Sequence, residues 1–214
     1  MQLMQSCEIQ GAQIRFYDTQ TSDVFNRLIA EICRNGEFER SEILNRTSLV
    51  SKEINPLYAA LDTVFKAGIK SYLSELYDPR IFDVFDFWQD WSINVHPGYR
   101  ALPSHSHNEC FLALTYYPEQ CSSAEQDLLY SGFAPYKGGQ IAFNSPRGNA
   151  AWDKFSLSQK THLPFHFESG TLAVFPGFLP HFTVPGGLTD SRVCIASFVS
   201  VVTKSSTPIK WSNE

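Results

Sequence analysis

The sequence predicts an α+β fold that is mainly β, with N-terminal helices packed on one face of an antiparallel barrel or sandwich. Before about residue 90, apolar residues recur at helical spacings. After it they form short runs rich in β-branched and aromatic residues, separated by Gly and Pro. The 214 residues, 43% of them hydrophobic, suffice for one substantial core. We expect a single domain over 1–214, with a mainly helical packing segment at 1–87 and a β core at 88–203.

Two helices are predicted in the first part of the chain. The first covers Asp23–Arg34 and places Val24, Leu28 and Ile32 on one face. The second covers Leu57–Leu76, where apolar residues recur at spacings of three and four. Both patterns are typical of amphipathic helices that bury one face against a sheet.

Five strands are predicted in the second part, because each run is short, apolar and bounded by turn residues. Weaker strand candidates are Ile14–Tyr17 and Leu163–Phe167. The connections at 119–137 and 145–160 are long for a compact domain, which is typical of functional loops, and we expect them to act as lids. The five strands are Ser92–His96, Cys110–Tyr117, Gly139–Phe143, Gly170–Phe175 and Arg192–Val202.

Composition excludes several classes of partner. The formal net charge is −5 and no run of Lys or Arg occurs, which argues against a nucleic-acid or anionic-membrane surface. No apolar stretch approaches the length of a membrane span, and the N-terminus lacks the pattern of a signal peptide. The five cysteines are odd in number and include no C-x-x-C pair, as expected of thiols in a reducing compartment. We therefore expect a cytoplasmic location.

The run H-S-H-N-E is the first candidate for chemistry. Alternate residues on a strand point to the same face, so His105, His107 and Glu109 are expected to project together. Two imidazoles and a carboxylate on one side match the ligands that transition metals take in proteins. The spacing therefore predicts a metal site next to the strand Cys110–Tyr117.

A distant histidine and an arginine extend this candidate site. His181 follows a strand and a Pro-Gly turn, which places it well to face a partner strand. Arg192 opens an otherwise apolar strand, and a buried arginine needs an anionic partner. Its planar guanidinium suits a carboxylate, which is either that of a ligand or that of an internal Asp or Glu.

Two histidines on one strand, a distant third histidine and an arginine resemble the metal sites of non-heme iron(II) oxygenases. In those sites the protein ligands occupy one side of the metal and leave positions open for a cosubstrate and oxygen. In that interpretation Arg192 holds the far carboxylate of 2-oxoglutarate.

Seven segments between about residues 88 and 199 match a known family in order and spacing. They are Trp91–Asn94, Pro103–His107, Leu114–Tyr117, Gly138–Arg147, Gly170–Pro176, Leu179–His181 and Arg192. On these segments the chain resembles the small bacterial and phage group of 2-oxoglutarate/iron(II)-dependent oxygenases related to prolyl hydroxylases. The resemblance implies a double-stranded β-helix, or jelly roll, with N-terminal packing helices.

The resemblance also implies roles for individual residues. His105 takes the place of the first metal-binding histidine, and His181 that of the distal one. Arg192 takes the place of the arginine that binds 2-oxoglutarate. Asn94 and Tyr116 fall where such enzymes often place polar groups against the cosubstrate.

The sequence departs from the family pattern at His107, Cys194 and Phe198. His107 stands where relatives carry the aspartate of H-x-D, which implies a metal site of three histidines. Glu109 is the alternative source of a carboxylate ligand. Cys194 replaces a hydroxyl residue two positions after the arginine, and Phe198 replaces an asparagine often seen near the end of that strand.

The function implied is that of an iron(II)- and 2-oxoglutarate-dependent dioxygenase, by default a hydroxylase of a small molecule or a peptide side chain. Molecular oxygen is the further substrate, and a homodimer is compatible with the sequence. Two alternatives stay open. One is a cupin-type metal enzyme without 2-oxoglutarate, in which Arg192 has no evident role. The other is a metal-free jelly roll that binds a ligand.

Overall fold

The computed structural model describes residues 1–9, 11–35, 46–48, 56–78, 80–97, 102–119, 141–144, 162–164, 168–183 and 191–204. The strands are β1 (Gln2–Ile9), β2 (Ala12–Asp18), β3 (Arg46–Ser48), β4 (Phe85–Pro97), β5 (Leu102–His105), β6 (Leu112–Tyr117), β7 (Ile141–Asn144), β8 (His162–Pro164), β9 (Thr171–Pro176), β10 (His181–Thr183) and β11 (Ser191–Thr203). The helices are α1 (Asp23–Asn35), α2 (Pro56–Leu76) and α3 (Ile81–Val84).

The strands form two antiparallel sheets. The large sheet has the order β1-β2-β9-β6-β11-β4-β3, and the small sheet has the order β5-β10-β7-β8. Neighbouring strands within each sheet pair antiparallel. The predicted α+β fold, mainly β, is therefore confirmed.

Two apolar clusters lie on opposite faces of the large sheet. Strand β6 shows the division clearly, because all six of its residues are buried. Leu114 and Tyr116 belong to the helix-side cluster, which includes residues of α1 and α2. Ala113 and Tyr117 belong to the inter-sheet cluster, which also includes Phe143 of the small sheet. Burying a leucine or phenylalanine contributes about 1.5–3 kcal/mol, so both clusters stabilise the sheet arrangement.

Helix α1 occupies the predicted span but buries a different face. Val24 and Leu28, expected to face the core, are 67% and 42% exposed. The apolar residues of this helix form more than one stripe, and spacing alone does not tell which stripe meets the sheet. Contact with the sheet selects the stripe that also carries a buried asparagine. The buried residues are Asn26, Ile29, Ala30 and Cys33.

Helix α2 confirms the prediction to within one residue at its start. Its middle contains Gly68, a residue that weakens an isolated helix. In the structure a Cβ atom at this position would clash with the side chain of Leu172 on β9. The glycine therefore allows the helix to lie close against the sheet.

The segment at 1–87 also holds a β-hairpin that the predicted helical character does not include. Strands β1 and β2 pair around a turn at Gly11, whose φ is +80°. The weaker candidate Ile14–Tyr17 lies inside β2, which pairs with β9 and so extends the large sheet. An amino-terminal strand with mixed polarity such as β1 carries little periodic signal, and it is mostly exposed.

The predicted strands of the second part are recovered with shifts at their ends. β6 begins at Leu112 because Cys110 lies in a turn, where its N–H donates to the carbonyl of His107 at 2.9 Å. The positions at 139 and 140, at 165–167, and the predicted lids at 120–137 and 145–160 lie outside the described residues. Within the described part of the chain, no helix combines the length and apolar character needed to cross a membrane.

Candidate metal centre

Three histidines converge at one end of the small sheet. One side-chain nitrogen from each of His105, His107 and His181 lies within 4.8 Å of the others. The ring centroids are 4.3 Å apart for His105 and His181, 5.0 Å for His105 and His107, and 5.2 Å for His107 and His181. These separations allow all three imidazoles to bind a single ion.

The register of the small sheet places two of these ligands. His105 is the last residue of β5 and is paired with His181, the first residue of β10. Directly opposed residues of an antiparallel pair have their Cβ atoms about 4.5–5.5 Å apart. β10 lies between β5 and β7, so His181 is also paired with Phe143. The predicted meeting of these distant segments is therefore produced by strand pairing.

His107 reaches the site in a different way from the one predicted. β5 ends at His105, so strand alternation does not continue to Glu109. Instead, the N–H of His107 donates to the carbonyl of Gly177 at 2.7 Å. A turn then exposes Glu109. Among the described residues, the group able to share one ion contains the three histidines and not Glu109, which argues against the carboxylate alternative.

Gly177 is a residue whose importance the sequence pattern does not reveal. A Cβ atom at this position would lie 2.7 Å from the carbonyl oxygen of His107 and would also clash with the carbonyl of Cys110. The lack of a side chain therefore lets the β9–β10 turn approach the segment that carries His107. The Pro-Gly pair signals a turn, but only the packing shows the close approach.

Two imidazoles are oriented by backbone carbonyls. Nδ1 of His105 lies 2.9 Å from the carbonyl oxygen of Pro103, and Nδ1 of His181 lies 2.9 Å from that of Leu179. Because a carbonyl only accepts, each Nδ1 carries the hydrogen and each Nε2 presents its lone pair. Histidines that bind metals commonly donate their other ring N–H to a backbone carbonyl in this way.

Burial keeps the imidazoles of His107 and His181 neutral. It lowers the pKa of His181 to about 3, an effect that the nearby His105 and His107 reinforce and the Leu179 carbonyl opposes. Burial, together with the charge of His105, lowers the pKa of His107 to about 4. Both groups are therefore unprotonated at neutral pH, which is the state that binds a metal ion.

Three phenylalanine rings pack against the histidine cluster. The ring centroid of Phe198 lies 4.5 Å from that of His107. Phe175 and Phe143 lie 4.9 Å and 6.0 Å from His181. These rings lower the local polarity, and a low-polarity surrounding strengthens the interaction between a cation and its ligands.

Two of the predicted cosubstrate residues are placed by their backbones only. Arg192 is paired with His96, and Asn94 is paired with Cys194, between strands β4 and β11. The side chains of Arg192 and Asn94 lie outside the described part of the structure. Their contact with a cosubstrate therefore stays a prediction.

Tyr116 is not brought to the histidines, which corrects its expected role. It is fully buried in the helix-side cluster, on the opposite face of β6 from Ala113 and Tyr117. Its hydroxyl donates to Oδ1 of Asn26 and lies 3.0 Å from Oγ1 of Thr21. A shift of one residue moves a strand side chain to the other face, and β6, which is buried on both faces, gives no regular polar–apolar alternation to fix the phase.

Its neighbour Tyr117 shares the inter-sheet cluster with Cys194 and Phe175. Tyr117 is therefore the tyrosine of this pair that lies on the face of the sheet directed toward the histidines. The sequence motif L-T-Y-Y does not distinguish the two.

The donor set itself limits the chemistry. Imidazole ligands suit iron, nickel, copper and zinc, whereas magnesium and calcium prefer oxygen. Three protein ligands leave coordination positions for other molecules, as in catalytic rather than structural metal sites. The cluster is thus suited to a metal that binds and activates a substrate.

No protein-family model and no curated protein matches this sequence. Solved structures do. A Pseudomonas putida prolyl-4-hydroxylase matches with a TM-score of 0.55 at 16% identity, covering 87% of this chain and 91% of that one. A Trichoplax adhaerens prolyl hydroxylase, in complex with a hypoxia inducible factor peptide fragment, gives 0.56 at 11%, covering 87% and 82%.

HygX from Streptomyces hygroscopicus, with nickel and 2-oxoglutarate bound, gives a TM-score of 0.57 at 12% identity, covering 87% of this chain and 82% of that one. The strand order, the helices on the large sheet and these matches together show that the chain has the double-stranded β-helix fold of the prolyl hydroxylases and related 2-oxoglutarate/iron(II) oxygenases.

Proposed function

We propose that the protein is a non-heme iron(II)- and 2-oxoglutarate-dependent oxygenase that hydroxylates a peptide side chain or a small molecule. The observation that carries this proposal is the convergence of His105, His107 and His181 within a fold that such oxygenases share. Convergence of three imidazoles from two strands and a turn is an arrangement suited to binding a metal ion, and the phenylalanine rings beside them provide the apolar surroundings.

The three histidines fit an iron(II) ion. Their nitrogens lie close enough for one ion, and the carbonyl contacts of His105 and His181 leave Nε2 free. When bound, iron(II) with 2-oxoglutarate and oxygen supplies the oxidising power to hydroxylate a C–H bond. The residues of the chain hold the ligand nitrogens in place and exclude water on the phenylalanine side.

Arg192 is the proposed partner of the distal carboxylate of 2-oxoglutarate. In the alternation of β11, position 192 is in phase with Cys194 and Phe198, two residues that contact the inter-sheet cluster. A guanidinium binds a carboxylate through two parallel hydrogen bonds, which orients as well as attracts it. Support also comes from the fold, since HygX was solved with 2-oxoglutarate bound.

The proposed substrate is a peptide side chain or a small molecule. A structural neighbour was solved with a peptide fragment, which supports a peptide substrate. Hydroxylation of a side chain requires that the substrate approach the open side of the metal site. Phe178 is exposed on the turn that leads to His181, and it is a candidate for contact with such a substrate.

The all-histidine ligand group favours one second candidate. Cupin-type metal enzymes work without 2-oxoglutarate, and three histidine ligands do not by themselves require that cosubstrate. Titration of the anaerobic protein with iron(II) and then 2-oxoglutarate separates the two. A weak visible charge-transfer band supports the oxygenase, whereas iron binding without that band supports the second candidate.

Arg192→Ala sharpens the experiment. It should remove the charge-transfer band by weakening 2-oxoglutarate binding while the stoichiometry of iron stays that of the wild type. A variant that keeps both the band and its 2-oxoglutarate affinity would contradict the assigned role of Arg192.

A further inference from the structure

Phe198 lies beside the histidine that has the least support from hydrogen bonds. It belongs to β11, is partly buried and packs against the inter-sheet cluster. Its ring centroid is 4.5 Å from that of His107, and the ring planes make an angle of 56°. Tilted rings at this separation make favourable contacts.

His107 differs from the other two ligand candidates in how its ring is held. Carbonyl oxygens orient the rings of His105 and His181. For His107, the hydrogen bond to the Gly177 carbonyl comes from the backbone N–H and leaves rotation about the side-chain bonds free. Within the described ranges, no hydrogen bond is made by the His107 imidazole itself.

Ring packing is therefore what limits the orientation of His107. Its contact with Phe198, at 4.5 Å, is closer than its contacts with His105 and His181, at 5.0 Å and 5.2 Å. The rings of His105 and His181 would bind the same metal ion as His107, so they lie on the metal side of the His107 ring and do not support its opposite side. Phe198 contacts it from the strand of the other sheet.

We propose that Phe198 is a positioning residue, whose ring holds the His107 imidazole in the orientation that binds metal. This inference rests on the metal site of the proposed function. It adds to that function a residue that orients the His107 ligand through an aromatic contact in place of a hydrogen bond. Loss of a group that orients a metal ligand costs about 10- to 100-fold in metal affinity.

The test compares Phe198→Ala and Phe198→Tyr in the full-length protein. Cobalt(II) serves as an anaerobic spectroscopic probe, because its visible bands report coordination number and geometry. We expect Phe198→Ala to weaken cobalt(II) binding by about 10- to 100-fold and to change its bands. Phe198→Tyr keeps an aromatic ring and should restore both the affinity and the spectrum.

Val199→Ala is the matched control. Val199 is the next residue of β11, is fully buried, and lies in the helix-side cluster on the opposite face. Its truncation should lower the melting temperature of the metal-free protein and leave the cobalt(II) affinity and bands unchanged. Phe198→Leu, which keeps apolar bulk without a ring, provides the test if the alanine variant does not fold, and it should also weaken binding.

Wild-type cobalt(II) affinity and bands in Phe198→Ala, or in Phe198→Leu, would overturn the inference. An equal loss in Val199→Ala would also overturn it, because the effect would then be a general one on the fold. If wild-type protein binds cobalt(II) and the variants behave as expected, the inference stands even where iron and 2-oxoglutarate give no charge-transfer band. In that case only the proposed oxygenase function fails.

Discussion

His181 lies directly opposite His105 in the antiparallel pair of β10 and β5, with their ring centroids 4.3 Å apart. Residues 76 positions apart in sequence thus become neighbours through a single strand pairing. Because the register places both rings on one side, the pairing of these two strands positions two of the three ligands. A substitution that disturbs this pairing should therefore lower the metal affinity.

Removal of either paired histidine should abolish metal binding. His105→Ala and His181→Ala each remove one of three ligands. The loss of metal affinity should therefore exceed about 100-fold, the upper end of the loss caused by mutating a residue that only orients a ligand. Calorimetric titration with iron(II) under anaerobic conditions measures it. His162→Ala, on β8, is the control and should bind iron(II) as the wild type does. Iron binding retained in His105→Ala would contradict the ligand assignment.

The stability of the metal-free protein should fall on acidification. The folded protein holds His181 and His107 with pKa values of about 3 and about 4, below the ordinary value of 6.5. Between pH 6.5 and 4 the unfolded chain therefore binds more protons at these groups, and stability decreases as the pH falls. Above pH 6.5 their contribution is fully present.

Thermal melts of the metal-free protein from pH 7.5 to 4.5 measure this dependence. His181→Asn removes one titrating imidazole, so its melting temperature should depend less steeply on pH than that of the wild type. A slope equal to the wild-type slope would show that His181 does not carry the effect.

Tyr116→Phe should affect stability and not metal binding. The variant loses the hydrogen bond from the hydroxyl to Asn26 and its contact with Thr21, which join the start of α1 to the sheet. We expect the free energy of unfolding to fall by about 1–2 kcal/mol, the usual effect of losing a buried hydrogen bond. Denaturant unfolding and a 2-oxoglutarate titration test this pair of expectations. Weaker 2-oxoglutarate binding would return Tyr116 to the cosubstrate site.

Gly177→Ala should damage the site through the backbone. The added methyl group would meet the carbonyls of His107 and Cys110, so the turn or the His107 segment must move. Overpacking of this kind costs about 1–3 kcal/mol, and here it should also weaken iron(II) binding. Gly11→Ala is a suitable comparison, because its positive φ makes it strained while no atom lies within 4 Å of the added group. It should lower stability alone.

Local patterns predicted the long helix and most central strands, because α2 and the strands after residue 90 have clear periodicity or bounded apolar runs. Sequence patterns did not predict which face of a helix is buried, because that depends on the element against which the helix packs. Val24 and Leu28 are apolar and correctly spaced, yet the sheet meets the face that carries Asn26 and Ile29. Spacing describes one helix, whereas burial depends on what the helix contacts.

The candidate site shows the same division. The H-x-H pair and the distant histidine were sufficient to predict that His105, His107 and His181 meet. The sequence could not exclude Glu109, because the end of β5 at His105 is set by the turn and the hydrogen bond of His107 to Gly177. The role of Phe198 likewise depends on two sheets facing each other, a relation that no local pattern contains.

The most direct test of the metal centre is a crystal structure of the anaerobic protein loaded with iron(II), with anomalous diffraction measured at the iron edge. The expected result is one anomalous peak within bonding distance of a ring nitrogen of each of His105, His107 and His181. A peak bonded to Glu109 in place of one of these histidines, or a peak elsewhere in the protein, would contradict the three-histidine site on which the proposed function rests.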